Sequence, residues 1–231
     1  SIWDITDPSS PVMVGKSPPF PNLVDGVAVA GDYAYVAADM AGLWVIDISD
    51  PASPSIVSSY DTVQAEDVAV VGSYAYVADG FSGLRVIDVS DPTSPTEVGF
   101  YDTPGDASGV AVAGHYAYVA AGWDDLRVID VSEPSSPAEV GEAAFYGTPG
   151  DAMDVVVAGG YAYVANHWRS LRIIDVSDPA SPVGVGSFYT PWWAHGVAVT
   201  GSHAYVAHGD LRIIDVSDPS SPTGVGAYYT P

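Results

Sequence analysis

The sequence predicts an all-β protein, a β-propeller of four-stranded antiparallel blades, and three observations predict it. The phrase Ile-Asp-x-[Ser/Thr]-[Asp/Glu]-Pro places its first Asp at Asp4, Asp47, Asp88, Asp130, Asp175 and Asp215, with Trp3 replacing Ile in the first copy. A second phrase, Tyr-Ala-Tyr-Val-Ala, starts at Tyr33, Tyr74, Tyr116 and Tyr161, and returns at His203 with His in the place of the first Tyr. No stretch of useful length carries the i, i+3, i+4, i+7 apolar pattern of an amphipathic helix. Strand-rich units repeating every 40 to 45 residues are the signature of propeller blades.

The elements follow in order. Residues 1–15, "SIWDITDPSSPVMVG", supply a third and a fourth strand only, a half blade. Full blades are expected at about 26–60, 67–101, 109–146, 154–189 and 196–229, all within one domain over 1–231. In the second full blade the strands read "DVAVVG" from Asp67, "YAYVAD" from Tyr74, "LRVIDVS" from Leu84 and "PTEVGFY" from Pro95. Each is rich in Val, Ile and Tyr and bounded by Gly, Asp, Ser or Pro. In "YAYVA" the two Tyr share one face and Ala and Val the other, so large side chains should meet small ones where blades touch. The expected architecture is a six-bladed ring with an incomplete seam. The alternatives are five blades that close alone, or a seam completed by another chain through self-assembly at the half blade, since an unpaired edge is a template for strand addition. The sequence starts at Ser1 without Met, which reads as a processed or excised piece of a longer precursor.

"LRVIDVSDPTSP" with "YAYVA" upstream resembles the LVIVD-repeat family of β-propellers, found mainly in bacterial and archaeal surface or exported proteins. The resemblance runs over essentially the whole chain. It implies a propeller at the cell surface or outside the cell, with the periplasm as an alternative, and it carries no catalytic residue with it.

An Asp that recurs in every blade is not the one special residue of an active site. Asp88 and its equivalents are expected to accept hydrogen bonds from nearby backbone at the strand end, while Asp-Pro starts the turn with its fixed φ. A repeated Ca²⁺ site is the competing reading, and it would need six to eight oxygens. No other cofactor is expected.

With 29 Asp and Glu against 6 Lys and Arg, the formal charge is −23. Such a surface repels nucleic acid and anionic lipid. A cationic partner, an uncharged glycan or a high-salt habitat all remain compatible with it. There is no Cys, so disulfides, thiolate zinc sites and Cys nucleophiles are excluded. No apolar run approaches the roughly 20 residues that span a bilayer, so membrane insertion is not expected.

The two faces of the ring differ. Loops joining first to second and third to fourth strands are monotonous ("AGDY", "VGSY", "AGHY"; "SDPxSP"), whereas those on the opposite face vary ("ADMAG", "AGWDD", "NHWRS", "TPWWAH"). Function usually sits in varied loops on a rigid scaffold. Twelve of the 29 acids belong to the repeated phrase; thirteen others, including Asp25, Asp39, Glu66, Asp67, Asp79 and Asp154, fall in the varied loops. Arg85, Arg127, Arg172 and Arg212 share one strand position and are expected to pair structurally with Asp.

The candidate binding residues are Trp123, Asp124, His167, Trp168, Arg169, Trp192, Trp193, His195 and His208. Trp beside carboxylates suits a protein contact or a sugar, whose apolar face stacks on indole. His167, His195 and His208 could ligate a metal if their loops converge, although their spacing is no known ligand motif. The leading expectation is a non-catalytic scaffold that presents this acidic, Trp-rich face to a protein partner. A lectin-like glycan binder is the second reading, and a structural subunit of a surface assembly the third. An enzyme would need a site that breaks the repeat near the axis, and the residues before each inner strand, Asp25, Glu66, Ser108, Met153 and His195, are the place for one.

Overall fold

A computed structural model describes residues 1–123, 126–143, 151–167 and 170–229. Its described residues form strands, turns and loops, without a helix. Strands β1 (Ile2–Asp4) and β2 (Val12–Gly15) make a two-stranded sheet. The first full blade is β3 (Gly26–Ala30), β4 (Tyr33–Ala37), β5 (Leu43–Asp47) and β6 (Ser55–Tyr60). The second is β7 (Asp67–Val71), β8 (Tyr74–Ala78), β9 (Leu84–Asp88) and β10 (Thr96–Tyr101). The third is β11 (Gly109–Ala113), β12 (Tyr116–Ala120), β13 (Leu126–Asp130) and β14 (Ala138–Ala143). The fourth is β15 (Ala152–Ala158), β16 (Tyr161–Asn166), β17 (Ser170–Asp175) and β18 (Val183–Phe188). The fifth is β19 (Gly196–Thr200), β20 (His203–Ala207), β21 (Leu211–Asp215) and β22 (Thr223–Tyr228). Each full blade is an antiparallel meander, and the inner strands follow one another in the order β3, β7, β11, β15, β19. This is a β-propeller.

The alternation in "YAYVA" builds the core. Tyr35, Ala37, Leu43 and Val45 of the first blade pack on Ala75, Val77 and Ile87 of the second. Tyr76, Ala78, Leu84 and Val86 of the second pack on Ala117, Val119 and Ile129 of the third. The same pairing joins the third blade to the fourth and the fourth to the fifth. Each junction seats one bulky Tyr on the Ala of its neighbour, so a single repeated sequence generates both halves of the fit.

The repeated Asp acts as the sequence suggests. Asp88 Oδ1 accepts the Ser90 N–H at 2.8 Å, and Asp4, Asp47, Asp130, Asp175 and Asp215 accept the equivalent N–H at 2.8–2.9 Å. The backbone and side-chain bonds hold these carboxyls below the usual Asp range. The second Asp of the phrase repeats the device one turn on: Asp91 Oδ1 accepts from Thr93 N at 2.9 Å. DVSDP is a pair of Asx-turns.

The turn then presses on the neighbouring blade. A Cβ built on Gly99, Gly141 or Gly186, each in the fourth strand of its blade, would run into the backbone carbonyl of Pro134, Pro179 or Pro219 of the next blade. At Ser58, the same position in β6, the hydroxyl instead donates to the Pro92 carbonyl at 2.6 Å. Gly15 of β2 makes this contact with Pro51 of the first full blade. The half blade therefore packs on the first full blade as each full blade packs on the next.

Two of the four Arg that share the strand position, Arg85 and Arg127, pair with loop and outer-strand acids, whereas Arg212 donates to His208. Arg85 lies 3.5 Å from Asp79 and 3.8 Å from both Glu97 and Asp102. Arg127 pairs with Glu139 at 3.2 Å and with Glu142, so its partners are Glu where Asp was expected.

Candidate functional site at the axial mouth

The five residues expected before the inner strands, Asp25, Glu66, Ser108, Met153 and His195, line a single cavity of about 530 Å³ at the axis, together with Asp39 and Gln64, although Met153 falls within β15. Backbone bonding sets this convergence. The N–H of Asp25, Glu66, Ser108 and His195 each donates to the carbonyl of the last residue of the adjacent second strand, Ala37, Ala78, Ala120 and Ala207, at 2.8–3.1 Å. Met153 reaches the mouth from an irregularity in β15 between Ala152 and Asp154. Paired bridges between loops, Asp39 with Ala65 and Gly80 with Ala107, tie the second-to-third-strand loops to the interblade loops on this same face.

Asp39 stands at φ 50°, where the equivalent residues of the next two blades are Gly80 and Gly122 at φ 53° and 55°. An L residue there carries backbone strain that glycine does not, and such strain gathers at functional sites. Asp39→Gly is expected to raise stability by about 1 kcal/mol while removing a carboxylate from the mouth. A urea titration of the two proteins checks the sign.

Glu66 is the most perturbed group of the mouth. Burial pushes its carboxyl up to about 7; a hydrogen bond with Ser108 opposes this, and the charges of Asp106, Asp25 and Asp39 add to it. Gln64 Nε2 donates to Glu66 Oε1 at 2.9 Å. Asp25 is likewise raised, by burial and then by Asp39.

Three of the candidate residues from the sequence come together. The His167 ring lies 4.5 Å from that of Trp193 and 5.4 Å from that of His195, and His167 Nδ1 is 3.6 Å from Asp151 Oδ2. His195 joins this cluster to the axial cavity. Trp123 and Trp192 stand exposed on the same face, as does Phe81. Asp124, Trp168 and Arg169 lie outside the described residues. Among the described residues, no group of three His, Asp or Glu is arranged to hold a metal ion.

His208 departs from the expectation. It is 1% exposed, with Arg212 Nε donating to its Nε2 at 3.2 Å, and is not displayed on the loop face. The signal was present in the register. His208 occupies the position of Ala38, Asp79, Ala121 and Asn166, directly after the second-strand Ala-Tyr-Val-Ala, and all four are buried. Asp79 shows what a polar residue does there: it accepts the Gln64 and Val63 N–H at 2.7 and 3.2 Å and anchors the interblade loop.

Two of the acids assigned to the varied loops also belong to the interior. Asp67 and Asp154 take, in the second and fourth blades, the inner-strand position paired with the last Ala of the second-strand motif, where the other three blades carry Gly26, Gly109 and Gly196. Asp67 Oδ2 accepts the Val110 N–H at 3.0 Å, and Asp154 Oδ2 the Val197 N–H at 2.7 Å, each bridging to the following blade. Burial pushes Asp67 up to about 6 and raises Asp154 as well.

A model of the LVIVD repeat matches residues 1–17, 23–62, 64–103, 104–144, 149–190 and 193–230. Among solved structures, the periplasmic gluconolactonase PpgL of Pseudomonas aeruginosa superposes with a TM-score of 0.81 at 13% identity, over 96% of this chain and 74% of that one. A functionally unknown protein from Desulfotomaculum acetoxidans DSM 771 gives 0.76 at 16% identity, over 90% and 70%. BamB from Moraxella catarrhalis gives 0.63 at 13%, over 89% and 62%. The chain thus spans between 62% and 74% of the length of these three. No curated protein matches the sequence. At such identities the likeness is one of fold, and the propeller is common to them. Matched by the repeat model over nearly its whole length, the chain belongs to the LVIVD-repeat family.

Proposed function

We propose that this propeller is a non-catalytic interaction module, exported or held at the cell surface, whose varied loop face binds a protein partner. The observation that carries the reading is the exposure of Phe81, Trp123, Trp192 and Trp193 around a mouth lined by Asp25, Asp39 and Glu66. Large aromatic rings on rigid loops are the side chains that anchor protein contacts. The acidic surroundings favour a basic partner and a salt-dependent association. The lack of Cys and the periplasmic location in PpgL's name are compatible with export.

The mouth supports binding better than catalysis. Ser108 meets Glu66, but the N–H groups at 25, 66, 108 and 195 are spent on interstrand bonds and do not face the cavity as an oxyanion hole would require. Hydrolysis of a small lactone that disappears in Glu66→Gln would overturn this reading.

A glycan is the second reading, favoured by the exposed indole of Trp192 beside the tilted His167–Trp193 ring contact. Selection from a phage-displayed peptide library and a glycan array, each run with the double variant Trp192→Ala/Trp193→Ala, separates the two. The expected result is basic, aromatic peptides that bind at least about tenfold more weakly to the variant. Array signals that vanish in the variant, without such peptides, would transfer the site to sugars. Ligands that bind both proteins equally would remove the Trp pair from the site.

A further inference from the structure

The varied face repeats one feature of its own. Its second-to-third-strand loops set a large apolar side chain directly after the residue that bridges to the interblade loop: Met40 after Asp39, Phe81 after Gly80 and Trp123 after Gly122. The same backbone bonds build the turn in the first two blades. Ala41 and Gly42 donate to the carbonyls of Ala38 and Asp39, and Ser82 and Gly83 to those of Asp79 and Gly80, at 2.9–3.1 Å. The tips are 71%, 80% and 75% exposed. Because the bridges end on Ala65, Ala107 and Ala152, each next to a lining residue of the axial cavity, these tips stand around the mouth.

Inside them the mouth is chemically divided. Asp25, Asp39 and Glu66 come from three separate loops, before β3, between β4 and β5, and before β7. The charges of Asp25 and Asp39 both reach Glu66. Glu66 and Asp39 are half-buried, and Asp25 is exposed. Glu66 is also held in place. Asp79, buried and 3.5 Å from Arg85, accepts the Gln64 N–H at 2.7 Å, and the Gln64 amide donates to Glu66 at 2.9 Å. No other blade has Asp or Gln at these two places, so this support is not part of the repeated scaffold. Leu23 and Met153 add apolar wall to the same cavity.

This arrangement is the complement of a lysine side chain. An ammonium has three N–H donors and no acceptor, which three carboxylates arriving from three loops can meet, whereas the planar fork of Arg suits a single carboxylate bidentately. The four-carbon stem of Lys packs along apolar surface, here Leu23 and Met153, while its head stays paired. The exposed Met40 and Phe81 then meet the residues that flank the lysine, and Met adapts readily to an irregular apolar surface. Charge selects the occupant further, since a chain with a formal charge of −23 draws a cationic group. Given a protein partner, the reading on which this step rests, we propose that the axial mouth is the receptor for one lysine side chain of that partner, carried on a protruding loop or chain end with apolar residues on either side.

The probe is a C-terminally labelled peptide, acetyl-Gly-Leu-Lys-Leu-Gly-Ser, compared with the same peptide carrying acetyl-lysine or Arg in place of Lys. Fluorescence anisotropy at pH 8 and low salt should show saturable one-to-one binding of the Lys peptide. The other two should bind at least about tenfold more weakly, one for want of charge and one for its planar head. Glu66→Gln should weaken the Lys peptide by about tenfold or more. Asp102→Asn, which removes the same charge from an exposed acid at the rim, should leave it unchanged. Melting curves establish that both variants are folded. Equal affinity for the Lys and acetyl-lysine peptides, or for Lys and Arg, overturns the proposal. So does equal weakening by the two variants, which would reduce the attraction to net charge. Binding of n-butylammonium as tight as that of the peptide overturns it by assigning the mouth to free amines, and sedimentation with phosphatidylcholine vesicles does so by assigning the apolar tips to a membrane. The lysine site and the protein-binding face fail separately. Basic library peptides that bind Glu66→Gln as well as wild type would remove the first and keep the second, while a library without binders would remove both.

Discussion

Gly141→Ala is expected to destabilise the protein by about 2 kcal/mol, and Gly226→Ala, the same substitution at the same strand position in the last full blade, to stabilise it by about 0.4–1 kcal/mol. The difference lies outside each residue's own blade. The added methyl at 141 meets the Pro179 carbonyl, with Pro182 Cδ at 3.1 Å and the Ala180 carbonyl carbon at 3.3 Å. Two of those three are backbone atoms of a turn fixed by Asp178 and by two prolines, so the blade spacing itself must give. Overpacking of this kind typically costs about 1–3 kcal/mol, against a gain of about 0.4–1 kcal/mol from stiffening the unfolded chain. At 226 the gain stands alone, since the nearest atom is a flexible Ile213 methyl at ordinary contact distance. Urea midpoints of the two variants measure the contrast. Equal shifts would show that the Asp-Pro turn does not set the distance between blades.

That contrast also marks what the sequence makes legible. The blade count, the strands and the turn function of DVSDP follow from periodicity and residue type, because every blade repeats the same local physics. "YAYVA" even discloses which face meets which, since Tyr35 and Ala75 are the same motif seen from two blades. What stays hidden is set between blades. Nothing in "EVGEA" says that Gly141 has a carbonyl against it. Asp67 and Asp154 look like loop acids until the register places them within inner strands, bonded across to Val110 and Val197. His208 looks displayed because its loop is short and polar, yet the position after the Ala-Tyr-Val-Ala of the second strand is interior in all five full blades. The axial residues were identifiable because they precede each inner strand, but that Glu66 would be buried enough to retain its proton depends on its depth in the mouth, which no spacing encodes.

Glu66→Gln is expected to flatten the pH dependence of stability, and the sign follows from the direction of its shift. Its folded carboxyl titrates at about 7, above the value of about 4.5 for an unperturbed Glu. Between these values the native state holds a proton that the unfolded chain has lost. Stability is therefore full below pH 4.5 and falls as pH rises toward 7. After screening by solvent in the mouth, the loss amounts to about 1–2 kcal/mol. Asp67 acts in the same direction at lower pH, with its folded value at about 6. The turn aspartates act oppositely: held below the usual range by their backbone bonds, they support the fold until acid protonates them. Wild-type stability should therefore peak on the acid side of neutrality, below the pH at which the mouth is fully ionised. Gln at 66 can still pair with Gln64 and Ser108 without carrying the charge. Urea titrations at pH 5, 6, 7 and 8 should show the variant equal to wild type at pH 5 and more stable at pH 8. Parallel curves would mean that the proton is held elsewhere. Because the same carboxylate lines the proposed binding mouth, a basic partner that stabilises its ionised form should bind more tightly as pH rises from 6 to 8. This gain should vanish in Glu66→Gln, which ties the cost of burying the acid to the affinity it provides.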